Sequence, residues 1–360
     1  MYAAYGVASP FLPSFVAERG VRAEELGLVL AAGTAVRLLA APLAGRIGDR
    51  LQALRAVLVL CTAAAAAVTF GYLPARGFAT FLALTLLHAA FLAPMTVLAD
   101  ALALASSKRE RFEYGWARGT GSAAFIAGIL LSGQLVGRFG LEAIIWSQAL
   151  LLGAAALAAA RVPQHRAETA PRPQSALVLL RIPLFRNMVL VAALVLGSHA
   201  MHDAFAVIRW SAAGISPSTI SLLWSLSVAA EVVVFFLVGP ALVARLTPRG
   251  AIALAALAGA GRWAAMAQTA SPAALALIQP LHGVTFALLH LACMRLIARA
   301  VPEGLEGTAQ AAYATVGIGA ATALLTFVSG FLYTSWGAGG FWIMAALCIA
   351  AFPLALRLRT

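Results

Sequence analysis

Apolar runs of roughly twenty residues recur from one end of the chain to the other, and the short segments between them carry most of its charge. Nothing else in the sequence restricts the fold so tightly. In hydrocarbon the backbone amides of such runs have no water to bond, so they must be satisfied within helices or around a closed barrel. Barrel strands would alternate polar and apolar residues, and these runs do not. The expected fold class is an all-α membrane protein. With 62% hydrophobic residues, 11% charged residues and a mean hydropathy of +0.92, the chain lies far outside soluble composition.

Basic loops and Pro/Gly punctuation divide the 360 residues into twelve expected transmembrane helices, near 1–17, 27–45, 54–73, 78–104, 114–136, 141–160, 184–206, 218–243, 250–268, 273–297, 305–332 and 338–357. The first run is shorter than a span needs, so the first helix is expected to be truncated. It has neither a basic leader nor a small-residue cleavage site, and does not read as a removable signal peptide. The longest polar interruption, RVPQHRAETAPRPQ, begins at Arg161 and suits a flexible cytoplasmic linker over 161–183. It separates an N-terminal six-helix half, 1–160, from a C-terminal six-helix half, 184–360. A faint internal echo supports two halves: APLAGRIGDRLQALRAV follows span two and GPALVARLTPRGAI follows span eight.

The net charge of +12 has a membrane explanation. Of the 25 basic residues, 17 fall in alternate loops, including Arg46 to Arg55, Lys108 to Arg111 and Arg245 to Arg249. Only Arg19, Arg22, Arg76, Arg138 and Arg209 fall on the other side. The positive-inside rule then places both termini in the cytoplasm and removes any need for a nucleic-acid partner. Cys61, Cys293 and Cys348 sit in apolar runs without ligand spacing, as small buried hydrophobes with no metal role. There is no HExxH, no nucleophile elbow and no soluble domain, so no enzyme is expected.

Two six-helix halves are the common plan of secondary transporters. GRIGDR, Gly45 to Arg50, resembles the cytoplasmic loop signature of the major facilitator superfamily. YGVASPFLPSF, LLWSLSVAAEVVVFF, GRWAA, LHGVTFALLHLACMR and VPEGLEGTAQAAY, taken in order, resemble its phenylpropionate permease branch, which is related to lactose permease. The resemblance runs from Tyr5 to about the last helix and implies a major facilitator fold in a bacterial cytoplasmic membrane.

A charged side chain at a helix centre costs about 2.5–3.5 kcal/mol on insertion scales, so each one needs a partner or a wet cavity. Asp100 and Arg118 each lie about 6 Å inside the cytoplasmic boundary of spans four and five, at 1.5 Å per residue. They can clasp a substrate or form a salt bridge that holds the two spans together. In lactose permease an acid and an arginine with this separation bind sugar, so the resemblance implies substrate contact. The stacking tryptophan seven residues on is Phe125 here, which leaves sugar specificity open. Arg37 sits deep in span two, where it can anchor an anion, and it matches an arginine common in the family. Asp49 and Arg50 are expected to form a conformational latch, a carboxylate meeting a helix N-terminus in one state only.

In the C-terminal half, His199, Glu231, Arg262 and His282 all count inward to near mid-depth. Helix movement that changes a buried carboxylate's distance from an arginine changes whether it holds a proton. Glu231 with Arg262 is therefore the expected proton-coupling pair, with a static ion pair as the alternative. His199 and His282 are expected to contact substrate, and His88 and His290 to hydrogen-bond across helices. His202 and Asp203 stand where the family usually has aromatics.

The expected function is a proton-coupled symporter importing a small organic solute, such as an aromatic carboxylic acid. The alternatives are a proton-driven efflux antiporter and a sugar or nucleoside symporter. No cofactor is expected beyond the coupling proton, and the expected partners are the solute and the lipid bilayer, with the monomer as the working unit.

Overall fold

The computed structural model describes residues 1–110, 113–163 and 176–358, and every regular element among them is a helix. Residues 164–175 of the expected linker lie outside the described residues. Contacts divide the chain into two compact units, Met1–Pro171 with Ser216–Leu222, and Arg172–Ile215 with Leu223–Thr360.

Among the described residues, nine helical segments are long and apolar enough to cross a bilayer, fewer than the twelve spans expected. Continuity explains the difference. Pro217–Gln268 runs for 52 residues and Glu306–Ala355 for 50, about 75 Å each at 1.5 Å per residue and more than twice the hydrocarbon thickness. Each contains a break: Thr247 takes the non-helical φ 61°, ψ 160° ahead of Pro248, so two helices meet there in the first, and Gly337 takes φ 52° between the helices Ala321–Trp336 and Gly340–Ala355 in the second. The opening run is split at Ser9 and Pro10 into two seven-residue helices, too short to qualify.

The first unit contains α1 (Tyr2–Ala8), α2 (Leu12–Glu18), α3 (Ala23–Leu51), α4 (Leu54–Gly71), α5 (Gly77–Glu110), α6 (Tyr114–Phe139) and α7 (Glu142–Ala159). Glu25 starts α3 by accepting the Arg22 backbone N–H at 3.0 Å. Glu24 and Glu25 in its first turn and Arg50 in its last complement the helix dipole. Leu92, Met95, Leu98 and Leu102 form one stripe of α5 and pack with Leu54, Leu58 and Ala65 of α4 and Leu152 of α7. Lipid is as apolar as leucine, so close packing must hold such helices together. Gly6 of α1 and Gly128 of α6 provide it: a Cβ on Gly6 would sit 2.1 Å from the Phe125 carbonyl oxygen, and one on Gly128 2.4 Å from that of Ala3.

The second unit contains α8 (Pro183–Gly197), α9 (Ala200–Ala212), α10 (Pro217–Val233) from Leu223 onward, α11 (Gly239–Gln268), α12 (Pro272–Ile278), α13 (Leu289–Ala300), α14 (Glu306–Ala312), α15 (Ala321–Trp336) and α16 (Gly340–Ala355). Wide π-helical turns interrupt the regular helix at Val234–Val238, Gly283–Leu288 and Tyr313–Ala320. Such turns concentrate at functional sites because they rotate the side chains that follow. The first begins three residues after Glu231, and the second directly after His282.

Candidate functional site

In the first unit, the Arg118 guanidinium stands 3.5 Å from the Asp100 carboxylate, so the two charges of spans four and five do meet. Arg118 also donates to the Tyr2 hydroxyl and lies over the Tyr2 ring at 5.4 Å. Tyr2 had no signal in the sequence beyond its place in the first apolar run. Both members of the pair are more than a third exposed, so the pair is screened. Phe125 is half-buried where α6 meets α1. Arg37 is exposed on α3, with no hydrogen bond or ion pair among the described residues. Asp49 and Arg50 are exposed at the end of α3, whose last turn closes through Gln52 in the left-handed region. His88 is buried and meets the Thr69 hydroxyl at 3.2 Å, an interhelical bond.

The second unit holds a denser arrangement, centred on Arg262. Its side chain is completely buried on α11, against the Trp263 ring at 4.5 Å. One guanidinium nitrogen donates to His282 Nδ1 at 3.1 Å, and the other donates to Gln279 Oε1 at 2.7 Å. The far nitrogen of His282, Nε2, is 3.3 Å from the Glu231 carboxylate. The expected partners Glu231 and Arg262 are thus bridged by an imidazole.

An arginine can only donate, so His282 Nδ1 must accept, and the single proton of a neutral ring goes to Nε2, facing Glu231. The same bookkeeping fixes the rest of the cluster. Gln279 is completely buried, and its oxygen accepts from Arg262 and from the Ser227 hydroxyl at 3.0 Å. Its NH2 group therefore turns toward His202 Nε2, 3.2 Å away, which must accept. His202 then donates through Nδ1 to Asp203 at 3.0 Å. His199 meets the Val195 and Leu196 carbonyls through Nδ1 and the Thr285 hydroxyl through Nε2, and it lies edge-on to His282 at 5.2 Å.

Local sequence explains why these groups converge. Pro280 has no N–H to continue the span, so the chain turns between α12 and the π-helical segment, and Gln279 and His282 present themselves three residues apart toward α11. Gly283 brings α10 within reach: a Cβ there would sit 2.6 Å from the Ala230 carbonyl oxygen, next door to Glu231. Gln279 is the member that sequence reasoning missed. An amide in an apolar run, one turn before a histidine, was its only signal.

Residues 1–344 match the MFS_1 like family. Over 362 residues the chain is 35% identical to the probable 3-phenylpropionic acid transporter of Escherichia coli, covering 97% of this chain and 93% of that one. It is 26% identical to the maltose permease of Geobacillus stearothermophilus, over 99% and 91% of the two chains. Among solved structures it superposes on a mutant of the nucleoside transporter NupG with a TM-score of 0.89 at 15% identity, covering 100% of this chain and 97% of that one. The human organic anion transporter MFSD10 gives 0.63 at 20% identity, over 98% and 96% of the chains. At these identities the two structures speak to the fold alone.

Proposed function

The chain belongs to the MFS_1 like family of major facilitator transporters, multi-pass membrane proteins that carry small molecules and are not enzymes, and from that premise we propose that it is a proton symporter importing a small aromatic carboxylate. The observation that carries the reading is the line Arg262, His282, Glu231, which runs from a completely buried guanidinium to a partly exposed carboxylate. With Glu231 ionised, its charge offsets that of Arg262 through the intervening ring. A proton on Glu231 removes that offset, and the field of Arg262 then favours an incoming carboxylate. Binding of the proton and binding of the anion thereby help one another, as symport requires. The aromatic part of the reading rests on the relative at 35% identity, a probable 3-phenylpropionic acid transporter.

In this proposal Arg37, Asp100, Arg118, Phe125, His199 and His282 contact the solute, Glu231 and Arg262 couple the proton, and Asp49 and Arg50 act as the latch. Twelve passes follow when Pro217–Gln268 and Glu306–Ala355 each count as two spans and the opening run 2–18 counts as one, in two six-helix halves with both termini cytoplasmic, in a bacterial cytoplasmic membrane, with the monomer as the working unit.

The test is uptake into proteoliposomes of 3-phenylpropionate, a sugar panel and nucleosides, with and without an inward proton gradient. Gradient-driven accumulation of the aromatic acid, lost in Glu231→Gln, is expected. Uptake indifferent to the gradient overturns the coupling, and preference for sugars or nucleosides overturns the solute class.

A further inference from the structure

Arg262 sends out two arms, and the second also ends on a carboxylate. From the guanidinium, hydrogen bonds run through the Gln279 amide to His202 and from His202 to Asp203. His202 is buried among three indoles, stacked on Trp224 at 4.9 Å and flanked by Trp210 and Trp263 at 5.8 and 5.9 Å. Asp203 is 56% exposed while its histidine partner is 4% exposed. A charge on a membrane span, held from behind by a buried imidazole and open in front, is placed to take up and give back a proton.

Counting charge gives the arrangement a consequence. The hydrogen-bond directions make His202 and His282 neutral, so the cluster holds one fixed positive charge, Arg262, and two carboxylates, Glu231 and Asp203. With both ionised its net charge is negative, and with one protonated it is zero. Only with both protonated does it present a positive charge to an anion.

We propose that the His202–Asp203 pair is a second proton site, tied to Arg262 through Gln279, so that import of one organic monoanion requires two protons and moves a positive charge inward. This rests on the symport reading and deepens it. The protons bind the Glu231 and Asp203 carboxylates from the outer solution and leave from the same oxygens to the inner one, with no covalent change. Gln279 supplies the tie. While Arg262 and Ser227 hold its oxygen, its NH2 faces His202 and keeps that ring from taking an extra proton, which leaves Asp203 as the acceptor.

Besides His202, the titratable and charged groups that face Asp203 are His199 on its own span, His282 after α12 and Arg262, and Cys348 of α16 lies near that arginine, while Arg209 further along α9 donates to the Met266 carbonyl. His199 and Cys348 are engaged with Thr285 and Ser198, and none of these groups adds a second acid to the cluster.

Proteoliposomes loaded with potassium and treated with valinomycin separate the electrical drive from the proton gradient. In the native chain, an inside-negative potential of about 100 mV at equal pH is expected to raise steady-state accumulation of 3-phenylpropionate roughly fiftyfold, the fold-change matching about 2.3 kcal/mol per charge moved. Asp203→Asn is expected to lose that voltage response while keeping accumulation driven by a pH gradient, and Asp203→Glu to restore it. Should the asparagine variant not fold, Asp203→Thr keeps an oxygen for the His202 N–H and serves in its place. Native uptake that follows the pH gradient but ignores voltage overturns the second site and leaves symport standing, as does a voltage response retained in Asp203→Asn. Uptake that ignores the pH gradient overturns the symport reading itself.

Discussion

Arg262 holds two acceptors at once, His282 Nδ1 and Gln279 Oε1, as the planar fork of a guanidinium allows. Arg262→Met leaves His282 Nδ1 unsatisfied, at about 1–3 kcal/mol, and takes from the Gln279 oxygen one of its two donors, Ser227 being the other. A lowered melting temperature in detergent and loss of gradient-driven uptake are expected together. Arg262→Lys keeps the charge but reaches one acceptor, so it should recover part of the stability and little of the transport. Asp100 and Arg118 offer a sharper contrast. Their pair is exposed enough to contribute at most about 1 kcal/mol. Asp100→Asn is therefore expected to leave the melting temperature nearly unchanged while weakening uptake by tenfold or more. A melting temperature that falls while the affinity for solute stays native would make the pair a structural brace.

At the scale of elements, backbone approach decides which side chains can meet. A methyl on Gly283 would collide with the Ala230 carbonyl and push α10 away from the π-helical segment, while Glu231 and His282 both remain present. Gly283→Ala is expected to cost about 1–3 kcal/mol by overpacking and to abolish proton-coupled uptake. Gly6→Ala forces apart α1 and α6 in the same way. It should lower thermal stability by a similar amount without touching the Arg262 cluster, and a thermal-shift assay run beside solute counterflow distinguishes the two effects. Much of this scale was legible beforehand: the helices and their loops follow from apolar run length and punctuation. The π-helical turns were not, because they arise where one helix yields to the side chains of its neighbour. The sequence places breaks between spans at 243–250 and 332–338, and the backbone leaves helical geometry there at Thr247 and Gly337.

For the whole molecule the testable statement is orientation. All three native cysteines are buried, so single introduced cysteines report cleanly. A membrane-impermeant maleimide added to intact cells is expected to label Arg76→Cys, in a sparsely basic loop, and to label Leu51→Cys only in inverted vesicles. The opposite pattern would reverse the topology proposed from the arginine distribution.

The amino-acid sequence alone determined the class of molecule, since apolar runs of this length satisfy their backbone in helices or a closed barrel and these do not alternate as barrel strands would. It also determined which charges had to be explained, because position along a span gives depth in the bilayer. It could not say which charges face each other. Depth is a property of one helix, whereas a hydrogen bond depends on the rotation and approach of two. Tertiary structure alone inserted His282 between Glu231 and Arg262, recruited Gln279, and turned His202 and Asp203 toward the same arginine.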